Sequence, residues 1–421
     1  MVDTIVSTLA TMFSGSYTAA AGGNVLLQDG TYANTARVTL RATAVPVRVA
    51  AQNRGGAIIT GFPIDIGSSG LIFEGFDLRF SGQYNTDFVR LDNVSGAFRR
   101  NKLMFDNQTS GDLKWLIARK DNIMIDHNEF SGKTTVDDIV LIGGSTFVRG
   151  CKVLNNHFHD FTETSSTKSE SIRVGESSMA FMDFDCEIAY NRFDTIDADT
   201  EVMSIKCQNV NIHHNTLEQT NGSIVLRQAY NCKVNNNTLI NGGIRVYGTG
   251  HEITKNQVIR NTMGGGVSRP LFLASANVAD LQTASGTPGA SGITIPLNAD
   301  ESQVRACTIS NNLFVNDDQS TGNLCILGDN AAEAFQPSGN TITFNVITAS
   351  LGTLTNAISG AVGWNVNTIS GNILYPTSTA IVGDMPAAGY TNVDPALKRL
   401  DDQTCRCSYV LTASDVGVDA A

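Results

Sequence analysis

The chain has 421 residues, 42% of them hydrophobic and 16% charged, and carries a formal net charge of −11. There is enough apolar material for a large core, and the acidic balance excludes a general nucleic-acid or membrane-surface binder, because long-range attraction to such partners shows as a net basic chain. A polyanionic partner would need a local basic groove, and no run of about 18 apolar residues offers a bilayer span.

At the N-terminus, Met1, Val2 and Asp3 lack the basic segment and apolar core of a signal peptide. A capping helix is expected over residues 1–15, with Asp3 or Thr4 as N-cap and Ile5, Leu9, Met12 and Phe13 forming an apolar stripe over the open end of a stack of strands. Short strand-like runs follow: VLLQDGTY (25–32), VTLRA (38–42), VRVAAQ (47–52) and AIITG (57–61), then the same alternation from Ile64 to Gly82. Thirty-nine glycines against two tryptophans and nine prolines indicate many tight turns.

From there a repeat takes over. A unit of apolar alternation, then Asn, any residue and a bulky apolar residue, recurs at Asn101, Asn128, Asn156, Asn191, Asn215, Asn237, Asn256, Asn312, Asn345 and Asn372. Most spacings equal one coil of a right-handed parallel β-helix with variable turns. The expected fold is all-β: one β-helical domain, 1–421, with an insertion at about 260–300 filling the gap between Asn256 and Asn312. Each asparagine is expected at the same bend, where left-handed geometry is tolerated and side-chain amides stack. Cys151, Cys186, Cys232 and Cys307 each lie five residues before a ladder asparagine and should stack as small buried groups, with no zinc spacing. Cys405 and Cys407 are too close in sequence to pair easily. The tail 409–421 is polar and small. His213 and His214 precede a ladder Asn and read as a turn.

The stretch 199–248 holds the chemistry. The runs VMSIKC (202–207), SIVLRQ (223–228) and GGIRVYG (242–248) each alternate, with Met203, Ile205, Ile224, Leu226, Ile244 and Val246 on one parity and Lys206, Arg227 and Arg245 on the other. Stacked as parallel strands about 4.8 Å apart, they would present a column of three cations spanning one or two sugar rings. That is a site for a polyanion.

These residues resemble the polysaccharide lyases of family six, the alginate lyase and chondroitinase B type. The likeness runs from VLLQDGTY through EFSGKT (129–134) and ESIRVGES (170–177) to EVMSIKC, IVLRQ and GGIRVYG, and returns weakly in LTASDVG (411–417). It implies β-elimination on a uronic-acid polymer, alginate being favoured over dermatan or chondroitin sulfate. Such cleavage needs the substrate carboxylate neutralised, the C5 proton removed and the O4 leaving group protonated. By resemblance Lys206 is the base and Arg227 serves the leaving group. Arg245, Arg173, Lys133 and Tyr247 bind substrate, with Tyr247 or a water able to pass the proton that a guanidinium seldom gives up. Asp199 and Glu201 are candidates to orient Lys206 or bind a cation.

Many members of the family hold calcium beside the lysine through an asparagine and two glutamates. Here Glu201 is kept, Asp199 is one methylene shorter, and 165–170 offers Thr167, Lys168 and Ser169 with no asparagine. The expectation is no cofactor, with Arg173 or Lys168 helping to neutralise the carboxylate. The resemblance further implies a secreted or periplasmic enzyme, here expected to be a monomer. Two readings from other classes stay open: a pectinase-like hydrolase, which would need clustered aspartates, and a non-catalytic glycan-binding β-helix.

Overall fold

The computed structural model describes residues 3–14, 23–41, 47–61, 63–82, 87–108, 114–144, 146–162, 169–260, 270–279, 301–316, 323–328, 332–349, 356–360, 366–375 and 389–392. Thr167, Lys168, Cys405, Cys407, the tail 409–421 and most of the expected insertion lie outside them. The chain forms two compact units, one built on Met1–Val174 with Phe184–Asp199, the other on Gly175–Asp183 with Thr200–Val410.

Each unit is a right-handed parallel β-helix whose strands belong to three parallel sheets, as the repeat predicted. Strands of two to seven residues suffice because each pairs in register with the equivalent strand one coil away. Val140–Ile142 pairs with Ile172–Val174, for example, and Ile224, Val225 and Leu226 pair with Ile244, Arg245 and Val246. Inward positions are apolar and sealed: Val140, Ile172, Val174, Ile205, Leu226 and Val246 are all at most 1% exposed. Like side chains therefore stack on like, as in the Phe130, Phe158 and Phe193 rings at 4.8 and 4.7 Å. Burying each such ring is worth roughly 1.5–3 kcal/mol.

The asparagine ladder exists, with its geometry divided between two residues. The residue before each ladder asparagine takes the left-handed conformation: Arg100, His127, Asn155, Tyr190, His214, Asn236, Lys255, Asn311 and Phe344 all have φ between 53° and 58°. The asparagines themselves are 0–2% exposed. Asn237 shows why an amide is required: its Nδ2 donates to Asn256 Oδ1 at 3.0 Å and to the Ile212 carbonyl at 3.0 Å. Its Oδ1 accepts from the Asn215 backbone N–H at 2.9 Å. A bend in the interior leaves backbone groups unpaired, and the stacked amides satisfy them.

Cys151, Cys186, Cys232 and Cys307 are buried free thiols, and the row they mark is also occupied by His251 and Asn340, each five residues before a ladder asparagine. Cys232 N–H donates to His251 Nδ1 at 3.1 Å, and Cys307 N–H to Asn340 Oδ1 at 3.0 Å.

Two expectations need correction. The N-terminal helix is confined to Leu9–Ser14 and begins after Thr8, whose Oγ1 accepts the Thr11 N–H at 3.1 Å. The β-branched run of Thr4, Ile5 and Val6 instead forms part of strand Asp3–Val6, paired with Asn24–Leu27, and leaves Ile5 53% exposed. Within the expected insertion, Leu271–Leu273 is a coil strand that pairs with Ile244–Val246.

Candidate active site

In the second unit, the strands Glu201–Ile205, Ser223–Leu226, Ile244–Val246 and Leu271–Leu273 lie side by side in one sheet. Lys206 and Arg227 follow the first two directly and are both half-buried. The pairing of Ile205 with Leu226, and the Arg227 N–H donated to the Ile205 carbonyl at 3.0 Å, place them in one row across the strands. Arg245 is not the third member of that row. It pairs with Val225 on one side and Phe272 on the other, and Tyr247, whose N–H donates to the Leu226 carbonyl at 2.9 Å, continues the row from Arg227. The expected column of three cations is thus a pair with Arg245 displaced by two residues on the same strand face, because GGIRVYG places its arginine two positions before its row residue.

Arg227 is held in place. Its Nη1 donates to Glu201 Oε1 at 2.8 Å, and Nη2 lies 3.8 Å from Glu301 Oε1. Burial alone would lower the guanidinium pKa, but the charge and hydrogen bond of Glu201, with Glu301, raise it. Arg227 is therefore a fixed cation and not a proton donor. Arg245 is fixed differently: Nη2 donates to Tyr247 Oη, and the guanidinium carbon sits 4.9 Å from the Tyr247 ring centre and 5.3 Å from that of Phe272. Its half-buried charge is set on aromatic faces. Tyr247 itself is 1% exposed, which fits an anchor for Arg245 better than the direct substrate contact expected of it.

Two glycines shape these strand ends. Gly175, at φ +73°, would bring a Cβ within 2.9 Å of the Lys206 carbonyl oxygen, and Gly248, at φ +91°, within 2.1 Å of that of Ala229. Only glycine allows such approach with that backbone, so the VG of ESIRVGES and the YG of GGIRVYG are packing requirements of the strands that carry Lys206 and Arg245.

In the first unit, Arg173 pairs with Leu141 on the neighbouring strand and places Nη2 2.8 Å from Asp138 Oδ2, with side chains 12% and 0% exposed. Lys133 is 3% exposed, and its ammonium donates to the carbonyls of Thr135 and Val136, the latter at 2.9 Å. It holds its own loop, the FSGK turn folding the stem inward. Asp199 Oδ2 accepts the Ser169 N–H at 3.1 Å. His213 and His214 meet through their Nδ1 atoms at 2.9 Å beside the left-handed bend.

The donor set argues against the family's calcium. A Glu201 oxygen is taken by the Arg227 guanidinium at 2.8 Å, a cation that repels another, and calcium needs six to eight oxygens. Among the described residues no group of three or more His, Cys, Asp or Glu is disposed to hold a metal ion.

Comparison with known proteins identifies this fold with its cationic strands as that of a polysaccharide lyase. Residues 7–268 match the family model described as chondroitinase B, and the chain belongs to that family, the polysaccharide lyases of family six. No curated protein sequence matches it. Among solved structures it is similar to a mannuronic acid specific family 6 lyase from human gut microbiota, at 17% identity and a TM-score of 0.75 over 94% of this chain and 91% of that one. It is also similar to a family 6 alginate lyase in complex with a trisaccharide, at 16% identity and 0.74 over 100% and 95%. A family 6 lyase from Pseudopedobacter saltans gives 20% identity and 0.69 over 99% of both chains. At such identity the likeness carries the fold.

Sequence reasoning did not find Asp138, Glu301, Phe272 or His251. Each acts through a neighbour on another coil, and only the register reveals which neighbour.

Proposed function

We propose that the protein is an alginate lyase that cleaves by β-elimination, with Lys206 as the base and Arg227 as the electrostatic group at the leaving oxygen. The observation that carries this reading is the shared row of Lys206 and Arg227, with Arg227 kept cationic by Glu201 at 2.8 Å. A base that removes the C5 proton works beside a fixed positive charge, which also favours the free amine of the lysine. Electron density passes from the C5–H bond into the C4–C5 double bond as the C4–O4 bond breaks, and the O4 oxygen carries the developing charge that Arg227 stabilises. Because Arg227 keeps its protons and Tyr247 is enclosed, water delivers the proton to O4 and is restored by the proton that Lys206 took from C5. Arg245 and Arg173 bind carboxylates of the polymer. Alginate is favoured because structurally similar proteins are described as alginate lyases. Mass spectrometry of products from alginate, dermatan sulfate and pectate tests it: unsaturated uronate ends from alginate are expected, and such ends from dermatan sulfate with none from alginate would overturn the substrate.

A further inference from the structure

Arg173 and Arg227 are each set on a carboxylate of the chain, Asp138 Oδ2 at 2.8 Å and Glu201 Oε1 at 2.8 Å. Arg245 is held in another way. Among the described residues no carboxylate pairs with it, and its buried Nε–H has no acceptor. Its Nη2 donates to Tyr247 Oη, and the guanidinium carbon stands over two rings, 4.9 Å from the centre of Tyr247 and 5.3 Å from that of Phe272. Tyr247 lies two residues along the chain, and Phe272 is the register partner of Arg245 on the next coil. Leu271 and Leu273, which flank Phe272, pair with the inward Ile244 and Val246, so the Phe272 ring belongs to the outer face. It is nevertheless only 6% exposed, packed with Tyr247 and Ala274 in one apolar cluster. On the other side of Arg245 stands Val225, 1% exposed.

Both rings lie within the roughly 6 Å over which an aromatic face attracts a cation. A carboxylate would also orient the guanidinium, but it would offset the charge and compete with an incoming anion; a ring orients it and leaves the charge in force. We infer that Phe272 is a positioning residue: its ring, with that of Tyr247, holds the Arg245 guanidinium oriented and uncompensated for a carboxylate of the polymer. The inference rests on the reading of Arg245 as a substrate-binding residue and deepens it. Without the ring, the long side chain would have to be ordered by the substrate itself, at a cost in binding. The contact with the carboxylate is made alike in the bound substrate and in the transition state, so its loss appears in KM and not in kcat.

Steady-state kinetics on alginate with fluorinated phenylalanines in place of Phe272 test this. Fluorine draws electron density from the ring face and hardly changes its size, so it weakens the attraction without opening a cavity. KM should rise stepwise from the unmodified ring through the monofluorinated to the trifluorinated one, by about three- to tenfold at the last, with kcat within about twofold of wild type. Phe272→Leu, which keeps apolar bulk and has no ring, should raise KM at least as far; should it fail to fold, the nearly isosteric fluorinated series still decides. In Arg245→Ala the same fluorination should leave KM unchanged, since the ring acts only through the guanidinium. A KM flat across the fluorinated series, a fall in kcat with KM constant, or a fluorination effect that persists in Arg245→Ala would overturn the inference. Arg245→Ala also separates the two readings. An unchanged KM there removes Arg245 from the substrate and ends both, whereas a raised KM with a flat fluorinated series removes the aromatic seat alone.

Discussion

His251 links folding to pH through one buried imidazole. It is 1% exposed, accepts the Cys232 N–H at Nδ1 and donates from Nε2 to the Tyr247 carbonyl at 2.9 Å, so it is held neutral. Burial pushes its pKa down to about 4, against the carbonyl of Tyr247, which pulls it up. The unfolded chain, titrating near 6.5, binds more protons between those values. The stabilisation is therefore complete above about pH 6.5 and is lost as pH falls toward 4, by about 3 kcal/mol in all. Urea unfolding across that range should show the loss in wild type. His251→Gln should start less stable at neutral pH and lack that part of the slope; an identical slope would count against the assignment. Arg245 makes the second residue-scale case. Arg245→Ala should raise KM more than it lowers kcat, because the charge serves binding, and a fall in kcat alone would contradict that role. The cations Lys206, Arg227 and Arg245 were legible in the sequence because alternation assigns faces. Which of them share a row was not, since register depends on where each strand starts relative to its turn.

Among the elements, the bend between two sheets divides its work between neighbouring residues. Asn237 is enclosed and joined to Asn215 and Asn256, whereas Lys255, exposed at φ +58°, only supplies the left-handed step. Asn237→Ala should thus cost roughly 2–4 kcal/mol, from several unsatisfied buried groups. Lys255→Gly should be neutral or stabilising by up to about 1 kcal/mol, since glycine relieves the left-handed strain. Chemical denaturation of both variants measures the contrast, and equal losses would show that the two positions do not divide the work. The period of the ladder was readable because asparagine recurs with an apolar neighbour. The identity of the left-handed residue was not, because Arg, His, Tyr, Lys and Phe occupy it as well as Asn. The N-terminal strand was hidden by an apolar spacing that suits a helix; the β-branched run of Thr4, Ile5 and Val6 was the competing signal.

For the whole molecule, a net charge of −11 coexists with cations gathered on one sheet of each unit, where a polyanion meets local and not global charge. The Arg227 guanidinium, held in place by Glu201, sets a positive group of the chain itself at the site, so activity on alginate should survive dialysis against a chelator. Activity lost in the chelator and restored by calcium would refute this. The proposed elimination by Lys206 beside Arg227 creates a C4–C5 double bond, whose ultraviolet absorbance reports it directly. Wild-type protein on alginate should give a steady rise, and Lys206→Ala, with its fold verified by circular dichroism, should give none; a rise at the wild-type rate in Lys206→Ala, or no rise in the wild type on any uronic-acid polymer, would contradict the account.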